Sequence, residues 1–350
     1  MVDAAGAFVG RGFYNPRTSL ACRILTRRDE SIDPAWFADR IGEAVAYRRG
    51  LDLPGEARRL VWSEGDGLPG LVVDRYGQVA VVQCLTLGMS RALPSISTAL
   101  RRSVGELAIY VADEPGAARL EGFEPRRGWL DGAGPETVTV AEGPSRFSVR
   151  IGAGHKTGFY LDQAENRLRV ARRAAGRTVL DAFAYTGAFA AQALAAGAER
   201  AVCLDSSAEA VAGAAANLDL NGFGGRVELR EANAFDELRR LEREGARFGL
   251  VVLDPPPFTR RKDAIDAASR GYKEINLRAM HLLERGGILA TFSCSHHVSL
   301  ARFEEVCRAA AQDLGVGMRT LEPLGQSRDH PVLLTVPETG YLKGLLLEKL

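Results

Sequence analysis

The 350-residue chain has no pairing pattern among its cysteines, little lysine and almost no net charge. Its five cysteines, Cys22, Cys84, Cys203, Cys294 and Cys307, are odd in number and none stands in a CxxC spacing. That excludes a disulfide framework and a tetrahedral zinc knuckle, predicts no metal, and points to a reducing, cytoplasmic setting. Lys plus Arg number 45 against 44 Asp plus Glu, so the formal charge is +1 and any polyanionic partner must be met by a local patch. Lys156, Lys262, Lys273, Lys343 and Lys349 are the lysines, and the other 40 cations are arginines. Long apolar runs are missing too. The most membrane-like window, 178–198, is broken by Asp181, Gln192 and two glycines, so no membrane span is expected. No basic leader precedes an apolar run at the start, which predicts no secretion signal.

What is present is globular in kind: 46% hydrophobic and 25% charged residues over a length that suits two or three domains. The first stretch, 6–28, reads as two strands, Phe8-Val9 and 19–26, broken at Asn15-Pro16. It holds five arginines, among them Arg11 and Arg17, with Phe13 and Tyr14 nearby and no acid between 11 and 28. Such a mixture suits phosphate contact and base stacking, and equally a solvated surface. Asp33-Pro34 then opens a helical pattern, with Asp33 as N-cap and Pro34 at the first helical position. Strands are predicted at 60–62, 70–73 and 79–84, a helix at 89–102, a strand at 109–112 and a hairpin over 137–151 turning at Glu142-Gly143-Pro144-Ser145. This middle region reads as an α+β domain.

Beyond Gly152 strands alternate with helices, the signature of a parallel, doubly wound sheet. Its central strands are predicted at 179–183, 201–204, 227–229, 250–253 and 288–292. In such a sheet ligands bind past the carboxyl ends of the strands. Those ends read Asp181-Ala-Phe-Ala-Tyr-Thr-Gly187, Asp205-Ser-Ser, Asn233-Ala234, Asp254-Pro-Pro-Pro-Phe258 and Ser293-Cys294-Ser295. Gly187 stands alone where a dinucleotide would need GxGxxG. A rim of acids suits a ligand with a ribose, no phosphates and a positive centre, which describes S-adenosylmethionine (SAM) better than NAD. Asp205 is placed to accept the ribose hydroxyls.

Taken in order, the runs His155-Lys-Thr-Gly-Phe-Tyr-Leu-Asp-Gln163, Asp181 to Phe189, Asp254 to Phe258, Gly271-Tyr-Lys-Glu-Ile-Asn276, Phe292-Ser-Cys-Ser295, Asp329-His-Pro331 and Tyr341-Leu-Lys-Gly344 resemble the bacterial 23S ribosomal RNA 5-methylcytosine methyltransferases. The likeness extends over nearly the whole chain. It implies an α/β, Rossmann-like class I methyltransferase domain at 153–350, a central α+β domain at 31–152 and, at 1–30, a partial PUA-like β unit lacking its first strands. The chain departs from the family pattern at Pro257, where a lysine is usual, and at His296 and His297, where a small residue is usual.

The resemblance also implies a chemistry. Carbon 5 of cytosine is a poor nucleophile until a thiolate adds to carbon 6. Cys294 corresponds to the family's nucleophile, and a thiolate there needs an electropositive neighbour, for which His296 is one candidate. A metal site of Cys294, His296 and His297 is disfavoured, because adjacent side chains on an extended segment point apart. Asp254 would hold the polar edge of a flipped cytosine, Pro255 and Pro256 a stiff apolar shelf beside it, and Phe258 a stacking face. Asp254 and Pro256 would also border the cofactor. Asp181, Phe183, Thr186 and Gly187 would line its methionine end, Asp205 and Ser206 its adenosine, and Asn233 and Ala234 its adenine, with Asp162 and Gln163 closing over it. Each of these positions has a plainer reading as a cap, a turn or core packing. Tyr272, Lys273, Asn276, His330 and Lys343 have no role derivable from the sequence. The expected partner is 23S ribosomal RNA, with no membrane, and a homodimer is one arrangement open to the chain. Two rivals stand beside carbon 5 methylation: exocyclic amine methylation of guanine or adenine, which needs no cysteine, and an RNA-binding assembly protein without turnover.

Overall fold

The structure, a computed structural model, describes residues 1–152, 157–259 and 264–350. His155, Lys156 and Lys262 lie outside the described residues. The chain forms two compact units. One comprises Met1–Val140, Val149–Leu161 and Arg328–Gly340; the other comprises Ala141–Ser148, Asp162–Ser327 and Tyr341–Leu350. Residues 1–30, read above as a unit of their own, pack within the first, and so does the late segment 328–340.

In the first unit, β1 (Arg11–Tyr14) and β2 (Cys22–Thr26) form an antiparallel pair around the expected break at Asn15. The first strand lies later than the predicted Phe8-Val9. Asp3 folds the preceding backbone by accepting the amides of Ala5 and Ala7, which leaves Phe8 only an isolated bridge to Val2. Helix α1 (Pro34–Arg49) starts as read: the Asp33 carboxylate accepts from the Ala35 and Trp36 amides, both at 3.0 Å. Strands β3 (Arg58–Trp62), β4 (Leu71–Tyr76) and β5 (Val79–Cys84), helix α2 (Leu87–Val104) and strand β6 (Ala108–Ala112) follow the expected order. Helix α3 (Pro115–Glu121) and strand β7 (Arg127–Trp129) add to the elements expected from the sequence. The sheet runs β3-β4-β5-β6-β7, antiparallel except at β5/β6, the pair that α2 connects. Trp36, Phe37, Ile41 and Val45 of α1 and Leu93, Ile96 and Leu100 of α2 share its core with Val61, Val73 and Val82.

The segment 328–340 is fastened into this unit. The buried Arg48 guanidinium donates to the Asp329 carbonyl and pairs with Asp66, while the Asp329 carboxylate accepts the Arg59 amide at 2.8 Å. The His330 ring lies 5.5 Å from that of Trp62. Strands β8 (Thr137–Glu142) and β9 (Ser145–Arg150) form the predicted hairpin.

The second unit contains α4 (Ala164–Ala171), β10 (Thr178–Ala182), α5 (Ala188–Ala195), β11 (Arg200–Asp205), α6 (Ala208–Leu220), β12 (Val227–Glu231), α7 (Ala234–Arg243), β13 (Phe248–Leu253), α8 (Ile265–Leu282), β14 (Leu283–Ser293), α9 (Leu300–Leu314), β15 (Met318–Gly325) and β16 (Lys343–Lys349). Sheet order is β12-β11-β10-β13-β14-β16-β15. The five expected strands are parallel, and the order reverses between β10 and β13, the switch point at which such sheets bind ligands. The sheet is mixed rather than all parallel, because β16 pairs antiparallel with both β14 and β15. β15 is not legible in the sequence, for a physical reason. β15 is poorly buried, carries Pro323 and is irregular between Thr320 and Glu322, so it shows no clean alternation. Tyr272, Ile275 and Ala279 of α8 and Phe303 and Ala310 of α9 pack with Leu180, Val251, Leu253 and Leu289 in the core. Among the described residues no helix is long and apolar enough to cross a membrane.

Candidate active site

The loop leaving β10 is held in an uncommon shape. Phe183 and Tyr185 have φ values of 65° and 48°, and Gly187 one of 73°. Non-glycine residues there cost on the order of 1–3 kcal/mol each, so neighbouring groups must impose the conformation. They do so through hydrogen bonds from Ala184 N to the Leu204 carbonyl at 2.8 Å, from Tyr185 N to Asp205 Oδ2 at 2.9 Å, and from Asn217 Nδ2 to the Thr186 carbonyl at 3.0 Å. A Cβ on Gly187 would stand 3.1 Å from Ala214 Cβ, so both the angle and the space call for glycine.

Three carboxylates sit at the switch point. Asp181, 1% exposed, accepts the Ala190 amide through Oδ2 at 3.0 Å, while its buried Oδ1 has no hydrogen-bond partner among the described residues. Burial pushes its carboxyl up to about 7, and the nearby charges of Asp254 and Asp205 push the same way. Asp205 accepts Tyr185 N and, through Oδ1, Ser207 N at 3.0 Å. Asp205 thus pins the loop that leaves β10, in keeping with its plainer reading as a strand-end cap. That role does not exhaust the group, because each carboxylate oxygen has two acceptor positions. Ser206 beside it is exposed. Asn233 caps α7, accepting from Phe235 N at 2.9 Å, and the adjacent Ala232 amide bonds to the Asp205 carbonyl. Ala234 is buried.

This cradle fits the chemistry of SAM. A sulfonium and an α-ammonium are cations, and they would offset the mutual repulsion of Asp181, Asp205 and Asp254 and give the orphaned Asp181 oxygen a partner. The buried Thr186 Oγ1 likewise has no hydrogen-bond partner among the described residues.

Beside the acids, the half-buried Cys294 directs its thiol at the Pro255 carbonyl, 3.7 Å away, which brings the fifth strand's cysteine onto the Asp254-Pro-Pro loop. Pro255 is buried and Pro256 exposed. Phe258 is less free than a stacking face should be: its ring lies 4.5 Å from Tyr272, 5.6 Å from Phe235 and 6.5 Å from Phe183, and both Phe183 and Phe258 pack on the core.

Lys343, for which the sequence offers no role, is a cation beside Cys294. Its Nζ donates to the carbonyls of Ser295 at 2.8 Å and Tyr341 at 2.7 Å. Burial pulls its ammonium down to about 8, and the neighbouring Cys294 charge works in the opposite sense. The Tyr272 hydroxyl lies 2.9 Å from Ser295 Oγ. The signal was hidden because Lys343 reaches the site through β16, opposite Ser293 in the ladder, and β16 was not recognised as a strand. His296, the candidate named above, is exposed and its ring faces His297 at 6.1 Å. Among the described residues no group of three or more His, Cys, Asp or Glu is arranged to hold a metal. Burial pushes the thiols of Cys84, Cys203 and Cys307 upward.

Asp162 and Gln163 are both buried. The Tyr341 hydroxyl donates to Asp162 Oδ2, so one tyrosine joins this segment to the Lys343 and Cys294 group through its carbonyl. Gln163 Oε1 accepts from Asn166 at 2.7 Å. Arg11 and Arg17 belong to the first unit. Arg11 pairs with Asp29, the Arg17 guanidinium covers Gly122, and Arg23 pairs with Glu121 at 2.9 Å. The basic stretch thus draws acids from outside itself.

A family model described as S-adenosylmethionine-dependent methyltransferase matches residues 74–323. The "Ribosomal RNA large subunit methyltransferase I" of Alteromonas mediterranea is 38% identical over 99% of this chain and 88% of its own length. A candidate SAM-dependent methyltransferase from Streptococcus mutans has the same fold, with a TM-score of 0.86 at 20% identity over 99% of this chain and 90% of that one. A second solved structure, of a candidate methyltransferase in complex with SAH, reaches a TM-score of 0.87 at 20% identity with the same coverage. The cofactor is SAM, and the chain belongs to the SAM-dependent methyltransferases, in the ribosomal RNA large subunit methyltransferase I family.

Proposed function

We propose that this chain methylates carbon 5 of a cytosine in 23S ribosomal RNA through a covalent adduct with Cys294. The observation that carries the reading is the placement of that thiol, against the Asp254-Pro255 loop and beside Lys343, at the carboxyl edge where the three acids gather. The ribosomal substrate is drawn from the relative's name.

Bound SAM supplies an electrophilic methyl group. Cys294, as the thiolate, adds to carbon 6 of the cytosine and moves the ring's electron pair to carbon 5, which takes the methyl group. Carbon 5 then gives its proton to a base, the carbon 5–carbon 6 double bond re-forms and the thiolate leaves. Lys343 favours the thiolate by its charge, Asp254 holds the polar edge of the base, and Pro255 and Pro256 keep the loop rigid.

The test is incubation of wild type and Cys294→Ala with SAM and RNA carrying 5-fluorocytidine, followed by a denaturing gel. Fluorine blocks the final proton loss, so wild type should give a covalent band and the variant none. Absence of the band together with methyl transfer to ordinary RNA would assign amine chemistry and leave Cys294 a structural residue.

A further inference from the structure

Buried arginines of the first unit are answered by carboxylates: Arg48 by Asp66, Arg59 by Asp74. Three neighbours form no such pair among the described residues. Arg58 on β3 stands directly opposite Arg75 on β4, a like-charge cross-strand pair that is destabilising by itself. Arg49, in the last turn of α1, shares with them the wall of a cavity of about 410 Å3. The hydrogen bonds of these three go to main-chain carbonyls: Arg58 to Gly55 at 3.2 Å, Arg75 to Gly77 at 2.7 Å, and Arg49 to Ser103. Each guanidinium has five N–H donors, so most remain unspent. Glu56 is the one acid among the described residues of the wall, and Gln78 adds an amide.

Burial, and then the charges of Arg58 and Arg49, pull the Arg75 guanidinium below its usual range. The C-terminus of α1 contributes a negative charge of about one half, too little to offset three cations. A sheet that places arginine opposite arginine beneath an open cavity is electrostatically incomplete.

We propose that this cavity is a phosphate-binding site and that its occupant is a backbone phosphate of the RNA substrate. Planar guanidinium forks match phosphate oxygens, and the volume leaves room for the attached sugar. The choice of RNA as the source rests on the function proposed above; the site itself rests on the three arginines. A free phosphorylated compound shares the same chemistry.

The experiment compares wild type with Arg58→Gln/Arg75→Gln and, separately, with Arg49→Gln, which lies on an exposed helix end and serves if the double variant does not fold. One arm measures thermal unfolding in sodium pyrophosphate against sodium chloride of equal ionic strength. The other measures binding of a 23S ribosomal RNA fragment across potassium chloride concentrations. Wild type should be stabilised by pyrophosphate and the variants less so. The slope of log affinity against log salt should fall by about 0.7 to 0.9 for each phosphate that is no longer neutralised. Loss of the pyrophosphate effect with an unchanged RNA slope would keep the phosphate site and overturn RNA as its source. Equal pyrophosphate effects and equal slopes in all three proteins would overturn the site. Neither arm uses methyl transfer or the Cys294 adduct, so failure of the carbon 5 chemistry is read separately.

Discussion

Replacing Asp181 by Asn should make the ligand-free protein more stable, and the gain should depend on pH. Burial, aided by the charges of Asp254 and Asp205, raises the folded carboxyl from an ordinary value of 3.8 to about 7. Well below pH 3.8 the group is neutral in folded and unfolded chains alike and contributes nothing. Between those values the unfolded chain ionises first, so stability falls as pH rises, and above pH 7 the loss is complete. About 3 pH units at about 1.36 kcal/mol each come to roughly 4 kcal/mol. Asn stays neutral throughout and can still accept the Ala190 amide, so Asp181→Asn should gain up to roughly that amount between pH 4.5 and pH 8 relative to wild type. Urea unfolding should be followed by circular dichroism, because Trp36, Trp62 and Trp129 all lie in the first unit and report little on the second. A difference between variant and wild type that stays constant over this range would refute the reasoning. The same ionised carboxylate would attract the sulfonium, so SAM affinity should rise with pH through about 7 in wild type and be flatter in the variant.

Two further outcomes are expected. Asp205→Ala removes a charged acceptor for the ribose and the pin on the Tyr185 amide; loss of a charged hydrogen bond, about 1.5 to 3 kcal/mol, means on the order of tenfold to a hundredfold weaker SAM binding by calorimetry. Unchanged affinity would remove Asp205 from the site. Lys343→Met should shift the pH profile of Cys294 alkylation by iodoacetamide upward by roughly one to three pH units, read by peptide mass spectrometry; an unmoved profile would mean that Lys343 does not govern the thiol.

The part of the site made by strand ends is legible in the sequence, since apolar runs closed by Asp181, Asp205, Asp254 and Cys294 mark one edge of a parallel sheet. Lys343 and Tyr341 are not, because the antiparallel pairing of β16 with β14 brings them to the site, and no local pattern announces that long-range pairing. Phe258 reads from sequence as a free stacking face, yet three aromatic neighbours from separate elements hold it. Strands β3 to β6 of the middle domain are legible for the opposite reason: short apolar runs between Gly-containing turns leave few alternatives, whereas the three-residue β7 offers no pattern to read. Arg58 opposite Arg75 can be seen only once the β3/β4 register is known.

The return of residues 328–340 to the first unit bears on how the protein is made. Arg48 waits for the carbonyl of Asp329, 281 positions later. At about 5 to 20 residues per second, synthesis supplies that partner on the order of 15 to 60 s after Arg48 itself. Until then the first unit lacks its fastening segment, and β16, which places Lys343 opposite Ser293, is made later still. A chain that stopped before β16 would possess the acids and the thiol without the strand that carries Lys343.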